Sequence, residues 1–155
     1  MNRRAVMNEQ TVAITRVFDA PPARVFAAWT RAEQLAHWFA PRSFSVPSCE
    51  VDPRPGGAFR VCLRSPAGVD FWVRGVYREV HAPDRLVIHC TADDGKGILE
   101  EVIDVTFAEQ GGKTRLSLRV TATGAGAAAD EMLGGMQKGW ALTVTRLDSH
   151  LKPST

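Results

Sequence analysis

Between Phe44 and Thr123 apolar and polar residues alternate with a period of two, and this pattern constrains the fold more than any other feature of the chain. Five turn clusters interrupt the alternation, namely PRPGG, SPAG, HAPD, DDGKG and EQGGK. A period of two is typical of half-buried strands, and short turn clusters between strands favour hairpins. The pattern therefore predicts six strands in an antiparallel meander.

The residues before this meander predict one further strand and two short helices. The segment TVAITRVFD at 11–19 is rich in β-branched residues and ends before two prolines, which indicates strand one. Asp19 is placed to cap a helix that runs to about Thr30. Thr30 is in turn placed to cap a second helix over 31–39, which Pro41 closes.

The last part of the chain predicts a single long helix, because apolar side chains recur there every three or four residues. Its stripe contains Met132, Met136, Trp140, Val144, Leu147 and Leu151. We expect its first three members to share one face that looks towards the strands carrying Val61, Val73, Val105 and Leu118. The predicted organisation is a flexible leader at 1–10, with Met1 or Met7 as the start, and a single α+β domain at 11–152.

The turn of a hairpin determines its register, so the inward face can be followed from strand to strand. Centring each turn on its cluster pairs Val61 with Val73, Tyr77 with Ile88 and Cys90 with Glu101. The predicted inner face contains Phe59, Val61, Leu63, Phe71, Val73, Tyr77, Leu86, Ile88, Cys90, Ile103, Val105, Phe107, Leu116, Leu118 and Val120. One helix is too narrow to cover this face, so the alternatives are a solid core and a pocket, and the excess of apolar strand surface favours a pocket.

Composition and charge exclude several classes of function. The 19 basic and 17 acidic residues give a net charge of +2, too small to neutralise many phosphates, so no nucleic acid is expected. No apolar stretch is long enough for a membrane span, and the three cysteines have no CxxC spacing. The four histidines include no i,i+4 pair, and DDGKG precedes a strand. We therefore predict a cytoplasmic protein with no metal and no cofactor.

Six segments carry a resemblance to a known family, and together they span nearly the whole chain. They are FDAPPARVFAAWT at 18–30, LAHWFAP at 35–41, VDPRPGG at 51–57, GVYREVHAPDRLV at 75–87, GGKTRLSL at 111–118 and GW at 139–140. In order and spacing they resemble the helix-grip fold of the START-like, or SRPBCC, superfamily, and within it the family related to the C-terminal domain of the activator of the heat-shock protein 90 ATPase. The resemblance implies a curved seven-stranded antiparallel sheet wrapped around the terminal helix.

Three functions are compatible with this resemblance, because members of the superfamily include lipid carriers, cyclases and chaperone-binding domains. The first is binding of a small hydrophobic or aromatic molecule. The second is a cyclase, dehydratase or hydrolase that uses a pocket carboxylate as general base. The third is interaction with a chaperone. A second copy of the chain, which would form a homodimer, is a further candidate partner. Trp72, expected on the outer sheet face among Arg60, Arg64 and Arg74, is the candidate contact for the third.

The polar residues of the predicted inner face are the sharpest functional candidates. Glu101 either enters the pocket, where burial would raise its pKa, or reaches water at the rim. Tyr77 either donates a hydrogen bond to a ligand or donates one to a backbone group in the core. Asp52 and Arg54 either ion-pair above the pocket or brace a turn. The predicted ligand-binding set is Trp38, Val61, Phe71, Val73, Tyr77, Ile88, Glu101, Ile103, Val105, Leu118, Met132, Met136 and Trp140.

Overall fold

A computed structural model describes residues 7–40 and 43–152 of the chain. Its elements are β1 (Met7–Phe18), α1 (Pro22–Thr30), α2 (Ala32–Leu35), β2 (Ser45–Val51), β3 (Ala58–Arg64), β4 (Asp70–His81), β5 (Arg85–Asp93), β6 (Ile98–Gln110), β7 (Lys113–Ala125) and α3 (Ala127–Leu151). The seven strands form one antiparallel sheet in the order β1-β7-β6-β5-β4-β3-β2. The predicted α+β architecture is confirmed.

The hairpin registers derived from the turns are also confirmed. Val61 lies opposite Val73, Tyr77 opposite Ile88, and Glu101 opposite Cys90. Two irregularities were not predicted. A register shift in β2 between Ser45 and Ser48 breaks the regular pairing with β3, and one in β4 between Tyr77 and Glu79 breaks the regular pairing with β5. Such a bulge changes local pairing, and alternation alone carries no signal for it.

Strand β1 begins earlier than predicted. Residues 7–10, expected to be part of a flexible leader, pair with β7, from Met7 opposite Ala125 to Gln10 opposite Ala122. Their side chains are exposed, so hydrophobic patterning did not reveal them, whereas pairing satisfies the backbone groups of the long β7. The leader prediction is therefore wrong for 7–10, and residues 1–6 lie outside the described residues.

The two short helices form without the predicted side-chain caps. The N-cap of α1 is Pro21, and Asp19 does not cap it, because consecutive prolines already preset the backbone for a first helical turn. Arg31 precedes α2, while the Thr30 hydroxyl donates backwards to the carbonyl of Phe26 at 3.0 Å. Helix α2 also spans only four residues, and turns continue the chain to Phe39. The predicted stop at Pro41 lies outside the described residues.

Helix α3 crosses the concave face of the sheet, where its backbone comes close to β1, β7 and β6. In its C-terminal half Val144, Leu147 and Leu151 are buried against the core. In its N-terminal half Leu133 and Met136 are buried, while Met132 is only partly covered. The helix therefore seals one end of the sheet and leaves a space beside β3, β4 and β5 at the other.

Candidate functional site

A cavity of about 410 Å³ lies between the sheet and the N-terminal half of α3. Its walls come from the end of β3, the start of β4, the end of β5, the start of β6, residues 131–143 of α3 and the segment around Phe39 and Phe44. Seven members of the predicted ligand-binding set line it, namely Phe71, Val73, Glu101, Ile103, Met132, Met136 and Trp140. The strand pattern and the helix pattern thus meet at one site.

The other six members of that set do not line the cavity. Trp38, Val61, Tyr77, Ile88, Val105 and Leu118 are all buried in solid core. The face of Met132, Met136 and Trp140 was expected to look towards the strands that carry Val61, Val73, Val105 and Leu118. Across the cavity lie residues of the first three strands, β3, β4 and β6, and no described lining residue comes from β7. The period-two alternation assigned these strand residues to the inner face of the sheet correctly. That inner face is filled by side chains at one end and borders the cavity at the other.

Aromatic rings from α1 and the following turns fill the closed end. Trp29 packs edge-on against Trp38 at 4.7 Å and against Phe107 at 6.4 Å between ring centroids. Phe39 lies between Phe59 and Trp140, at 5.5 Å and 5.8 Å, and so connects the core to the cavity wall. Edge-to-face pairs at these separations are favourable, which explains why no space remains there.

Tyr77 belongs to this solid core. Its hydroxyl donates to the backbone carbonyl of Trp29 at 3.3 Å, and burial raises the pKa of the phenol. The Trp38 indole similarly donates to the carbonyl of Ala28 at 3.0 Å. Of the two alternatives for Tyr77, the structure matches the core tyrosine with a backbone partner, and Tyr77 is not among the residues that line the cavity.

Glu101 is a buried carboxylate in the wall of the cavity. The side chain enters from β6 and only 8% of the residue is exposed. Within residues 7–40 and 43–152 its carboxylate has no hydrogen-bond or ion-pair partner, and burial raises its pKa to about 7. A carboxylate with this pKa is ready to accept a proton or to pair with a donor near neutral pH.

Two glycines of α3 create the space that sequence reasoning left undecided. Gly135 and Gly139 line the cavity, and a Cβ added at either would meet no atom within 4 Å. A glycine in a helix can let two backbones approach closely or leave room beside the helix, and these two glycines leave room. Their four-residue spacing beside Met132 and Met136 was the available signal.

Other lining residues were missed by the sequence analysis. Phe44 immediately precedes β2 and packs on Phe71 at 5.6 Å between ring centroids. Asp93 is the last residue of β5, Asp94 lies in the turn that follows, and Glu131 lies in the first turns of α3. These acids were outside the inner-face count because they lie at a strand end, in a turn and on a helix.

The loop VDPRPGG is a braced turn away from the cavity. Arg54 Nε donates to Asp52 Oδ2 at 2.7 Å, and both side chains are well exposed. The loop is anchored by the backbone, since Gly56 N donates to the carbonyl of Tyr77 and Tyr77 N donates to that of Gly57. Of the two alternatives for Asp52 and Arg54, the turn-bracing one matches the structure.

Trp72 lies on the outer sheet face, as parity predicted. The Arg74 guanidinium stacks over its ring at 4.5 Å, and Arg64 forms a two-point ion pair with Asp70. These contacts satisfy the local charges, and contact with a chaperone or a second copy stays a prediction. Within the described part of the chain there is no cluster of three metal-binding side chains and no helix long and apolar enough to cross a membrane.

This architecture defines a class of protein. A curved antiparallel sheet that wraps one long terminal helix, with two short helices after the first strand, is the helix-grip fold of the START-like superfamily. The chain belongs to the family described as Activator of Hsp90 ATPase homolog 1-like protein, whose model matches residues 19–152. The resemblance stated from sequence motifs is thereby confirmed.

Solved structures support the fold across nearly the full chain. An uncharacterised protein from Rhizobium leguminosarum superposes with a TM-score of 0.85 at 23% identity, covering 96% of this chain and 98% of its own. A protein from Chromobacterium violaceum gives a TM-score of 0.74 at 26% identity, with 94% and 99% covered. One from Nitrosomonas europaea gives 0.66 at 27% identity, with 92% and 94% covered. A comparison with curated proteins gives no significant match.

Proposed function

We propose that this protein binds a small, mainly apolar or aromatic molecule in the cavity between β3–β6 and α3. The observation that carries the proposal is an apolar cavity of about 410 Å³ that contains one buried carboxylate without a partner among the described residues. Ligand sites in proteins typically measure about 300–1,000 Å³ and combine apolar walls with a few polar groups that orient the ligand.

The wall chemistry favours a flat, apolar body. Phe44, Phe71 and Trp140 supply aromatic surface, and Met132 and Met136 supply unbranched side chains that adapt their rotamers to differently shaped ligands. Burying roughly 200 Å² of a naphthyl-sized ring contributes about 5 kcal/mol before ordering costs. That gain is enough for measurable binding without any hydrogen bond.

The experiment compares two substitutions of neighbouring glycines in α3. Gly135→Leu places a side chain in the cavity, whereas Gly134→Leu places the same side chain on the exposed side of the helix. Both changes raise helix propensity equally. The uncharged fluorophore N-phenyl-1-naphthylamine should bind to wild type and to Gly134→Leu with similar affinity, and at least tenfold more weakly to Gly135→Leu.

Equal binding of the fluorophore to all three proteins would show that it binds elsewhere, and the proposal would fail. Thermal unfolding of each variant without the fluorophore serves as the control for folding. Because neither position has an atom within 4 Å of an added Cβ, both variants should retain a cooperative transition.

A second candidate function, proton transfer to or from a bound substrate, is favoured by one observation. Glu101 faces the cavity and burial raises its pKa to about 7, near the value that suits a general base at neutral pH. If the protein is an enzyme of this kind, Glu101→Gln abolishes turnover while the fluorophore still binds. Turnover that survives this substitution would eliminate Glu101 as the base.

A further inference from the structure

The charges around the cavity restrict the class of ligand, an inference that rests on the proposed function. We infer that the cavity selects molecules that carry a protonated amine or a similar basic group on an apolar body. Four of its described lining residues are acids, namely Glu101, Asp93, Asp94 and Glu131, and no lysine, arginine or histidine is among the described lining residues. Among these described lining residues, the charged groups that a carboxylate ligand such as a fatty acid would meet are all of like charge.

The buried acid lies where the charged end of a ligand would be held. Glu101 lines the cavity from β6 and is only 8% exposed, and its carboxylate has no partner among the described side chains. A buried carboxylate without a partner has a high desolvation free energy. A cationic hydrogen-bond donor on the ligand would pair with the carboxylate and offset that free energy. The opposite strand contributes the thiol of Cys90, which burial keeps neutral because it raises the pKa of that group.

The rim adds a second layer of negative charge. Asp93 accepts a hydrogen bond from Gly95 N, and Asp94 accepts from Lys96 N and Gly97 N, so both carboxylates are held in place at the end of β5. Glu131 faces them from α3. Acids grouped at the entrance of a low-dielectric cleft raise the local concentration of cations.

Aromatic side chains in the wall also suit a cation. Phe44, Phe71 and Trp140 present rings to the cavity, and ring faces attract ammonium groups that have left water. Arg146, the described arginine beside this wall, donates to the carbonyl oxygens of Ala40 and Phe44 at 3.2 Å and 3.0 Å. These two hydrogen bonds hold the wall segment in place.

The test uses three ligands with one ring system and different polar groups. At pH 8, 2-naphthylmethylamine, 2-naphthylmethanol and 2-naphthoate compete with N-phenyl-1-naphthylamine for the protein. We expect the amine to bind most tightly, with an affinity at least tenfold higher than that of the alcohol, and the carboxylate to bind most weakly. Glu101→Gln should reduce the amine preference to about twofold, whereas Glu100→Gln should leave it unchanged, because Glu100 is an exposed residue outside the cavity lining.

The outcomes separate this inference from the proposed function. If the fluorophore and the alcohol bind but the amine has no advantage, the ligand class is wrong and the apolar site stands. If the amine preference survives in Glu101→Gln, the assignment to Glu101 is wrong. If neither the fluorophore nor any of the three ligands binds, the proposed function fails and this inference with it. Glu101→Met, of similar size, provides a second variant if Glu101→Gln does not accumulate.

Discussion

Replacing Glu101 by glutamine should stabilise the protein at high pH and not at low pH. Only 8% of the Glu101 residue is exposed, and burial raises the pKa of its carboxyl group from 4.5 to about 7. At about 1.4 kcal/mol for each pH unit, this difference corresponds to about 3 kcal/mol of unfolding free energy. Glutamine has a similar shape and no charge, so the variant avoids that cost.

The sign follows from proton counting. Between pH 4.5 and about 7 the folded protein keeps the Glu101 proton while the unfolded chain has lost it, so the folded state binds more protons. Stability contributed by this group is therefore fully present below pH 4.5, falls as the pH rises, and is lost above about pH 7. The variant lacks this dependence, so its advantage grows over the same range.

Urea unfolding followed by tryptophan fluorescence, repeated from pH 4 to pH 8.5, measures the difference between wild type and Glu101→Gln. Taking the difference removes the contribution of every other titrating group. We expect the advantage of the variant to rise by about 3 kcal/mol across the range, and Glu100→Gln to show no such rise. A difference that is constant with pH would mean that Glu101 is solvated or paired, and would refute the reasoning.

Three further substitutions test packing. Trp38→Ala should lower the free energy of unfolding by about 3–5 kcal/mol because the ring is fully buried, whereas Trp140→Ala should cost about 1–2 kcal/mol because one side of its ring borders the cavity. If urea unfolding gave the same loss of free energy for both tryptophan variants, a cavity beside Trp140 would be contradicted. Gly75→Ala should destabilise by at least about 2 kcal/mol in the same assay, since its Cβ would collide with the backbone of His89, and a neutral result would contradict the close β4–β5 approach.

The pairing of the sheet could be predicted from sequence because two signals agree at every hairpin. The turn clusters define where each strand reverses, and alternation then determines which side chains face inward, as with Val61 opposite Val73. Strand β1 was predicted less well, since the side chains of residues 7–10 are exposed at the sheet edge and these residues are held by backbone pairing to β7. Hydrophobic pattern does not report backbone hydrogen bonds.

The site could be predicted only in part, because parity gives the face of a residue and not its depth. Tyr77 and Glu101 both face inward, yet Tyr77 lies under the aromatic rings of α1 while Glu101 lies where α3 leaves a gap. That difference depends on how the helices fill the concave face, which is a tertiary property. Phe44 and the acids of the rim were missed for the same reason, since they reach the cavity from loops and a helix.

The most direct test of the cavity as the binding site uses the methionine methyl groups. Met132 and Met136 line the cavity, whereas Met7 is 59% exposed on β1 and serves as an internal reference. Titration of ¹³C-methyl-methionine protein with N-phenyl-1-naphthylamine, followed by NMR, should shift the Met132 and Met136 signals and leave Met7 in place. If a saturating concentration of the fluorophore shifted neither the Met132 nor the Met136 signal, the cavity would not be the binding site.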